Sequence, residues 1–114
     1  MRLLRSLYLV LLGAVLFTPA GQRLSAQSAA PRAVLVTGAS SGIGRTIAER
    51  LAREGFYVYA GARSAEDIAA LSAIPNMKGV RLDVTSTADI SAFVQLVQRD
   101  GRGLYGVVNN AGVA

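Results

Sequence analysis

The stretch Val34-Leu35-Val36-Thr37-Gly38-Ala39-Ser40-Ser41-Gly42-Ile43-Gly44-Arg45-Thr46-Ile47-Ala48-Glu49-Arg50-Leu51 decides the fold, because it reads as strand, glycine-rich turn and helix in direct succession. Ala33 to Val36 is an apolar run with branched side chains, ended by Thr37-Gly38, which is the pattern of a strand buried on both faces. Beyond the turn, Ile43, Ile47, Ala48 and Leu51 recur at helical spacing and predict one apolar face. Gly55 is placed to close that helix in a left-handed conformation.

Gly38 lets the chain leave the strand through a turn that a side chain would obstruct. Gly42 and Gly44 clear side chains from the start of the helix, so a ligand can approach the backbone and the helix can lie close to the strand. The free N–H groups of the first helical turn, with the positive end of the helix dipole, suit a diphosphate. Ser40 and Ser41 add hydroxyl donors there. The competing reading is a glycine loop that only turns a corner, and the flanking strand and helix weigh against it. The spacing is Gly-x3-Gly-x-Gly, distinct from the Gly-x-Gly-x-x-Gly of the common dinucleotide fingerprint.

The 114 residues allow one domain at most. A hydrophobic content of 52% against 17% charged residues argues for a packed core over most of the chain. The net charge of +5 resembles a nucleic-acid signal until its distribution is read: Arg2, Arg5, Arg23 and Arg32 have no acid among them, and 8 basic face 7 acidic residues thereafter. No basic stripe for a phosphate backbone is left, so nucleic acid is not an expected partner. The absence of cysteine and histidine excludes disulfides, thiolate chemistry and imidazole catalysis within this chain, and no metal site is assigned.

Residues 1–30 form a leader. Arg2 and Arg5 precede the apolar run from Leu7 to Phe17, followed by Thr18-Pro19 and a small, polar stretch with Ala26-Gln27-Ser28 and Ser28-Ala29-Ala30. This matches a secretory signal. Such a run spans only about half of the roughly 30 Å hydrocarbon core, which disfavours a stable single span. A short membrane anchor and a mis-assigned start are the alternatives. The domain is expected over residues 31–114.

Tyr57 to Ala60 predicts a second strand, and Ser64-Ala65-Glu66-Asp67 a capped helix start that continues through Ile68, Ala69 and Leu71 to Pro75-Asn76. Val80 to Leu82 predicts a third strand. Ser86-Thr87-Ala88-Asp89 starts another helix, whose Ile90, Phe93, Val94 and Val97 form one stripe expected to be buried. Leu104 to Val108 predicts a fourth strand, left by the turn Asn109-Asn110-Ala111-Gly112. The order βαβαβαβ with short connections predicts an α/β fold: a parallel sheet with right-handed crossovers and helices on both faces.

Ligands of such sheets sit beyond the carboxyl ends of the strands, where the strand order reverses. Gly38 to Gly44 follow strand 1, Arg63 follows strand 2, Asp83 strand 3, and Asn109 to Gly112 strand 4. An NAD-preferring domain places an acid at the end of strand 2 to hold the ribose 2′-OH. Here that tip reads Ala60-Gly61-Ala62-Arg63, and a guanidinium suits a 2′-phosphate. A solvated surface arginine is the alternative. Asp83 is placed to accept from the adenine amino group, or to serve as a turn aspartate. Asn110 and Gly112 would hold the strand-4 turn against the adenosine ribose, or simply make a loop.

Residues 33–114 resemble the first half of the short-chain dehydrogenase/reductase family, carried by Thr37-Gly38-x3-Gly42-x-Gly44, Leu82-Asp83-Val84 and Asn109-Asn110-Ala111-Gly112 in that order. The resemblance implies an incomplete Rossmann-like doubly wound sheet. It implies that Gly38, Ser40, Ile43 and Gly44 contact the cofactor's phosphates and nicotinamide side. Arg63 would bind the 2′-phosphate of NADP, in preference to NAD, Asp83 and Val84 would flank the adenine, and Asn110 would lie by the ribose. The implied reaction is hydride transfer between NADP(H) and a small carbonyl or alcohol substrate. The family's catalytic serine and its tyrosine with a lysine four residues later are absent from this chain. The residues four places after Tyr8, Tyr57, Tyr59 and Tyr105 are Leu12, Gly61, Arg63 and Asn109, so no catalytic residue is assigned. The chain is accordingly expected to be a fragment or a truncated frame, with strand 4 an exposed, aggregation-prone edge. The alternatives to an oxidoreductase half are a non-catalytic nucleotide-binding regulatory module and an inactive truncated product. Use of NADP favours a domain facing the cytoplasm, with any membrane association made through residues 1–30.

Overall fold

Four short runs of branched and small residues become four parallel strands. A computed structural model of the protein describes residues 30–112. The elements are β1 (Ala33–Val36), α1 (Gly42–Arg53), β2 (Tyr57–Ala62), α2 (Ala65–Ser72), β3 (Met77–Arg81), α3 (Thr87–Asp100) and β4 (Gly106–Val108). The sheet order is β3-β2-β1-β4, and every pairing is parallel. The chain winds outward from β1 to β3, then returns past β1 to place β4 on its other side. This is the four-stranded part of a Rossmann-like, doubly wound α/β sheet, as the pattern of elements predicts.

Because side chains alternate along a strand, β1 feeds two cores. Val34 and Val36 join Val58, Ala60 and Met77 under Ala48 and Ala52 of α1 and Leu71 of α2. Ala33 and Leu35 join Tyr59, Val80 and Leu82 under Phe93 of α3. Helices therefore cover both faces, and all four residues of β1 are buried.

The helix ends follow local chemistry. Ser64 Oγ accepts the N–H of Asp67 at 3.1 Å, and Ser86 Oγ accepts that of Asp89 at 3.1 Å. Past the end of α1, Gly55 has φ +96°; its N–H donates to the Ala52 carbonyl, and that of Phe56 to the Leu51 carbonyl. This pair of bonds satisfies carbonyls that the helix end would otherwise leave open.

Several expected boundaries and faces are corrected. β2 runs on to Ala62, β3 starts at Met77 and stops before Leu82, α2 ends at Ser72 ahead of Pro75, and β4 begins only at Gly106. Ile43, placed on the apolar face of α1, is 73% exposed. Ala48 is buried and Ile47 and Leu51 pack against the core as expected, but the most deeply buried line of α1 is Gly44, Ala48 and Ala52, which lets the helix lie close to the sheet. The α3 stripe is turned from its expected setting. Phe93 packs edge-on against the Tyr59 ring with centroids 5.5 Å apart, Leu96 and Val97 pack beside it, and Ile90 and Val94 are left exposed. The bulk of Tyr59 between sheet and helix selects that face. Among the described residues β4 is an edge strand with Val107 exposed. The leader over residues 1–30 falls, except for Ala30, outside the described residues, and no helix among the described residues is long and apolar enough to cross a membrane.

Candidate functional site

A cavity of about 290 Å³ opens at the carboxyl ends of the strands, beside the switch point between β1 and β4. Of the residues singled out in the sequence, Gly38, Ser40 and Ser41 line it from the turn after β1, and Arg63 from the tip of β2. Asp83 and Val84 line it after β3, and Asn110, Ala111 and Gly112 after β4. Four segments that are remote in the chain thus meet at one wall-to-wall site. Gly42, Ile43 and Gly44 are not among its lining residues.

The glycines of the turn divide the work. Gly38 and Gly42 have φ of +62° and +59°, the left-handed region that favours glycine. Gly44 has a different reason: a β-carbon there would run into the Gly38 carbonyl and the Asn110 side-chain amide. Its role is close packing of α1 beneath the turn.

Thr37, which the sequence reading took as a strand end and the first residue of the glycine motif but not as a site residue, is a buried polar hub. Its Oγ1 accepts the N–H groups of Asn110 at 3.0 Å and Ala111 at 2.9 Å, and lies 3.4 Å from the Val108 carbonyl oxygen, to which it donates. The Asn110 side chain returns the bond, its Nδ2 donating to the carbonyls of Thr37 at 3.3 Å and Gly38 at 3.2 Å. The turns after β1 and β4 are therefore locked together, and the amide hydrogens of Asn110 are directed into the scaffold. The Ala39 N–H donates to the Gly61 carbonyl at 2.8 Å and that of Leu82 to the Ala62 carbonyl at 2.9 Å, joining the remaining tips. Gly61, Ala62 and Leu82 also line the cavity and were not anticipated; the rule that ligands gather at strand ends carried the signal for them.

The start of α1 differs from those of α2 and α3. The Ser41 side chain makes no capping bond, and the first turn carries no acid, whereas α2 has Glu66 and Asp67 and α3 has Asp89 in theirs. The positive end of α1 is thus left to whatever enters the cavity. Across from it, Asp83 Oδ1 accepts both the hydroxyl of Thr85 at 2.6 Å and its N–H at 2.9 Å. These bonds, and more weakly the guanidinium groups of Arg63 and Arg81, hold the Asp83 carboxyl below its ordinary value of 3.8. Asp83 is therefore a turn aspartate and a cavity residue at once.

Among the described residues, the one tyrosine–lysine pair in contact with a common partner lies elsewhere. Tyr59 OH donates to Asp100 Oδ2 at 2.9 Å, and Lys78 Nζ lies 3.2 Å from the same oxygen. Burial first, and then the bond to Asp100, push the Tyr59 phenol up to about 12, away from neutral acid–base work. Neither residue lines the cavity. The pair ties the end of α3 to the sheet.

A family model described as short chain dehydrogenase matches residues 32–114. The chain belongs to the short-chain dehydrogenase family. It is 39% identical over 85 residues to 3-amino-tetrahydro-pyrrolizinone reductase of Xenorhabdus hominickii, covering 72% of this chain and 29% of that protein. It is 32% identical over 111 residues to the mitochondrial D-beta-hydroxybutyrate dehydrogenase of Bos taurus, covering 86% and 32%. Among solved structures it resembles a variant of the actinorhodin polyketide ketoreductase crystallised with NADPH, at 38% identity and TM-score 0.67, covering 73% of this chain and 34% of the other. This short-chain dehydrogenase sequence spans about a third of the length of the curated relatives it matches.

Proposed function

We propose that residues 31–114 form the dinucleotide-binding part of an NADP-preferring oxidoreductase. The carrying observation is that Arg63, at the tip of β2 where an NAD enzyme keeps an acid, lines the same cavity as Ser40 and Ser41 at the uncapped mouth of α1. The residues fit such a cofactor. The α1 start, with the Ser40 and Ser41 hydroxyls, would receive the diphosphate. Arg63 would grip the 2′-phosphate with two N–H groups. Asp83, with Oδ1 held by Thr85, would offer its other oxygen to the adenine amino group, and Val84 would lie along the ring. Asn110, Ala111 and Gly112 would shape the wall beside the ribose, while Gly42, Ile43 and Gly44 would act through the turn and the start of α1. A cavity of about 290 Å³ suits the adenosine half of the ligand.

The bound dinucleotide supplies the hydride for reducing a carbonyl or receives it from an alcohol. The residues of this chain bind and orient it, and none is assigned to the proton transfer. Similarity to a pyrrolizinone reductase and to a ketoreductase crystallised with NADPH supports this class of reaction.

Binding of NADPH and NADH to the full-length protein tests the reading. Arg63→Ala should weaken NADPH by about ten- to a hundredfold, the range of a charge-assisted contact, and leave NADH within about twofold. Equal losses for the two cofactors, or no loss for either, would sink it.

A further inference from the structure

Arg81 and Asp89 lie outside the cavity, yet they join two of its walls. Arg81 is the last residue of β3, and its Nη1 donates to the carbonyl of Arg63 at 3.1 Å. Its Nε lies 3.6 Å from Asp89 Oδ1. The other oxygen of Asp89, Oδ2, accepts the N–H of Asp83 at 3.0 Å. Asp89 is itself held at the start of α3, where its N–H donates to Ser86 Oγ. One continuous path therefore runs from the Arg63 carbonyl through the guanidinium of Arg81 and the carboxylate of Asp89 to the Asp83 backbone.

We propose that Arg81, braced by Asp89, is a positioning residue that sets Arg63 for a 2′-phosphate. The inference rests on the reading of Arg63 given above. Its physical basis is the fork of the guanidinium, which can serve a carbonyl and a carboxylate at once, as a lysine ammonium on its flexible stem cannot do with the same geometry. An exposed arginine–carboxylate pair alone contributes little, and the Arg81 side chain is 67% exposed. What raises its importance is the third partner. The Arg63 carbonyl belongs to the peptide that leads into α2, so holding that plane restricts the backbone from which the Arg63 side chain departs. Asp89 is the anchored end of the clamp, with its side chain only 16% exposed. Asp83, whose N–H the clamp holds, is itself favoured in its charged form by Thr85 and more weakly by both arginines.

The test measures adenosine 2′,5′-bisphosphate and adenosine 5′-phosphate binding to the full-length protein and its variants by calorimetry. Arg81→Ala should weaken the bisphosphate by about fivefold, one net hydrogen bond's worth, and the monophosphate by less than about twofold. Arg81→Lys should recover only part of the loss. Asp89→Asn keeps an oxygen for the Asp83 N–H but removes the charge facing Arg81, so it should shift the same ratio in the same direction. The double variant should be no worse than Arg81→Ala, because the two act as a unit. Equal weakening of both ligands would mean a merely structural role and would overturn the inference. So would an unchanged ratio in Arg81→Ala when Arg63→Ala still loses the bisphosphate, in which case the reading of Arg63 stands alone. If Arg63→Ala leaves the ratio unchanged, the 2′-phosphate reading falls and the inference falls with it.

Discussion

Thr37 Oγ1 accepts the backbone N–H of Asn110 at 3.0 Å, joining residues 73 positions apart across the switch point of the sheet. Thr37 is only 3% exposed, so its side chain is largely withdrawn from water. The same hydroxyl accepts from Ala111 and donates to the Val108 carbonyl, which uses its full capacity. The cavity wall after β4 is held by this side chain together with the Asn110 amide, which donates to the Thr37 and Gly38 carbonyls.

Thr37→Val keeps the shape and removes the hydroxyl, leaving the Ala111 N–H without its acceptor, while the Asn110 N–H keeps the Val108 carbonyl at 3.1 Å. A donor left unpaired in this way costs about 1–3 kcal/mol. The variant should lose that order of stability in urea unfolding and bind NADPH more weakly, whereas Thr37→Ser should retain most of both. A Thr37→Val protein with unchanged unfolding midpoint and affinity would contradict the hub.

Gly44 and Gly42 should fail differently. A β-carbon at Gly44 meets the Gly38 carbonyl and Asn110, so Gly44→Ala forces α1 away from the turn at an overpacking cost of about 1–3 kcal/mol. At Gly42 nothing lies within 4 Å, and only the φ of +59° resists a side chain. That strain is about 1–2 kcal/mol and is eased by asparagine, which tolerates the left-handed region. Gly42→Asn should therefore regain stability over Gly42→Ala, while Gly44→Asn should gain nothing over Gly44→Ala; denaturation midpoints separate the two cases.

The cofactor preference should be reversible at one position. Arg63→Asp places a carboxylate where the ribose 2′-OH of NAD is held in NAD-preferring domains and repels a 2′-phosphate. The ratio of NADPH to NADH affinity should invert in the full-length protein. Equilibrium binding of both cofactors at one salt concentration checks it, since screening weakens exposed charge contacts.

Stability should fall at both ends of the pH scale for opposite reasons. Tyr59 ionises near 10.0 when unfolded and near about 12 in the fold, so its contribution is complete below pH 10 and disappears as pH rises through 12. Asp100, held down by the Tyr59 hydroxyl and then by Lys78, and Asp83, held down by Thr85, lie below 3.8. Their contributions are complete above that value and are lost as pH falls through the folded ones. Tyr59→Phe should flatten the alkaline limb and raise the Asp100 carboxyl toward its ordinary value. Chemical unfolding across the pH range, with carboxyl titration by NMR, reads both effects.

Features that depend on near neighbours were legible along the chain. Ser64 and Ser86 announce their helices because a hydroxyl three residues before an N–H can reach it whatever the rest of the protein does. The unbroken apolar run of β1 and the glycines at Gly38 and Gly42 were likewise legible from near neighbours. The order of these pieces was enough for a parallel sheet, and hence for which loops would share one edge.

Side-chain partners across the fold were not legible in the same way. Nothing near Thr37 says that its hydroxyl faces Asn110, nothing near Arg81 names the Arg63 carbonyl, and the stripe of α3 was turned by the bulk of Tyr59 two strands of chain earlier. Periodicity tells which face of a helix is apolar; how far that face rotates, and which polar atoms it brings within 3 Å, depends on packing between segments whose separation in sequence carries no distance. The turn chemistry and the element order were therefore written in the residues, while the clamp around the cavity came into being only when the four strand ends met.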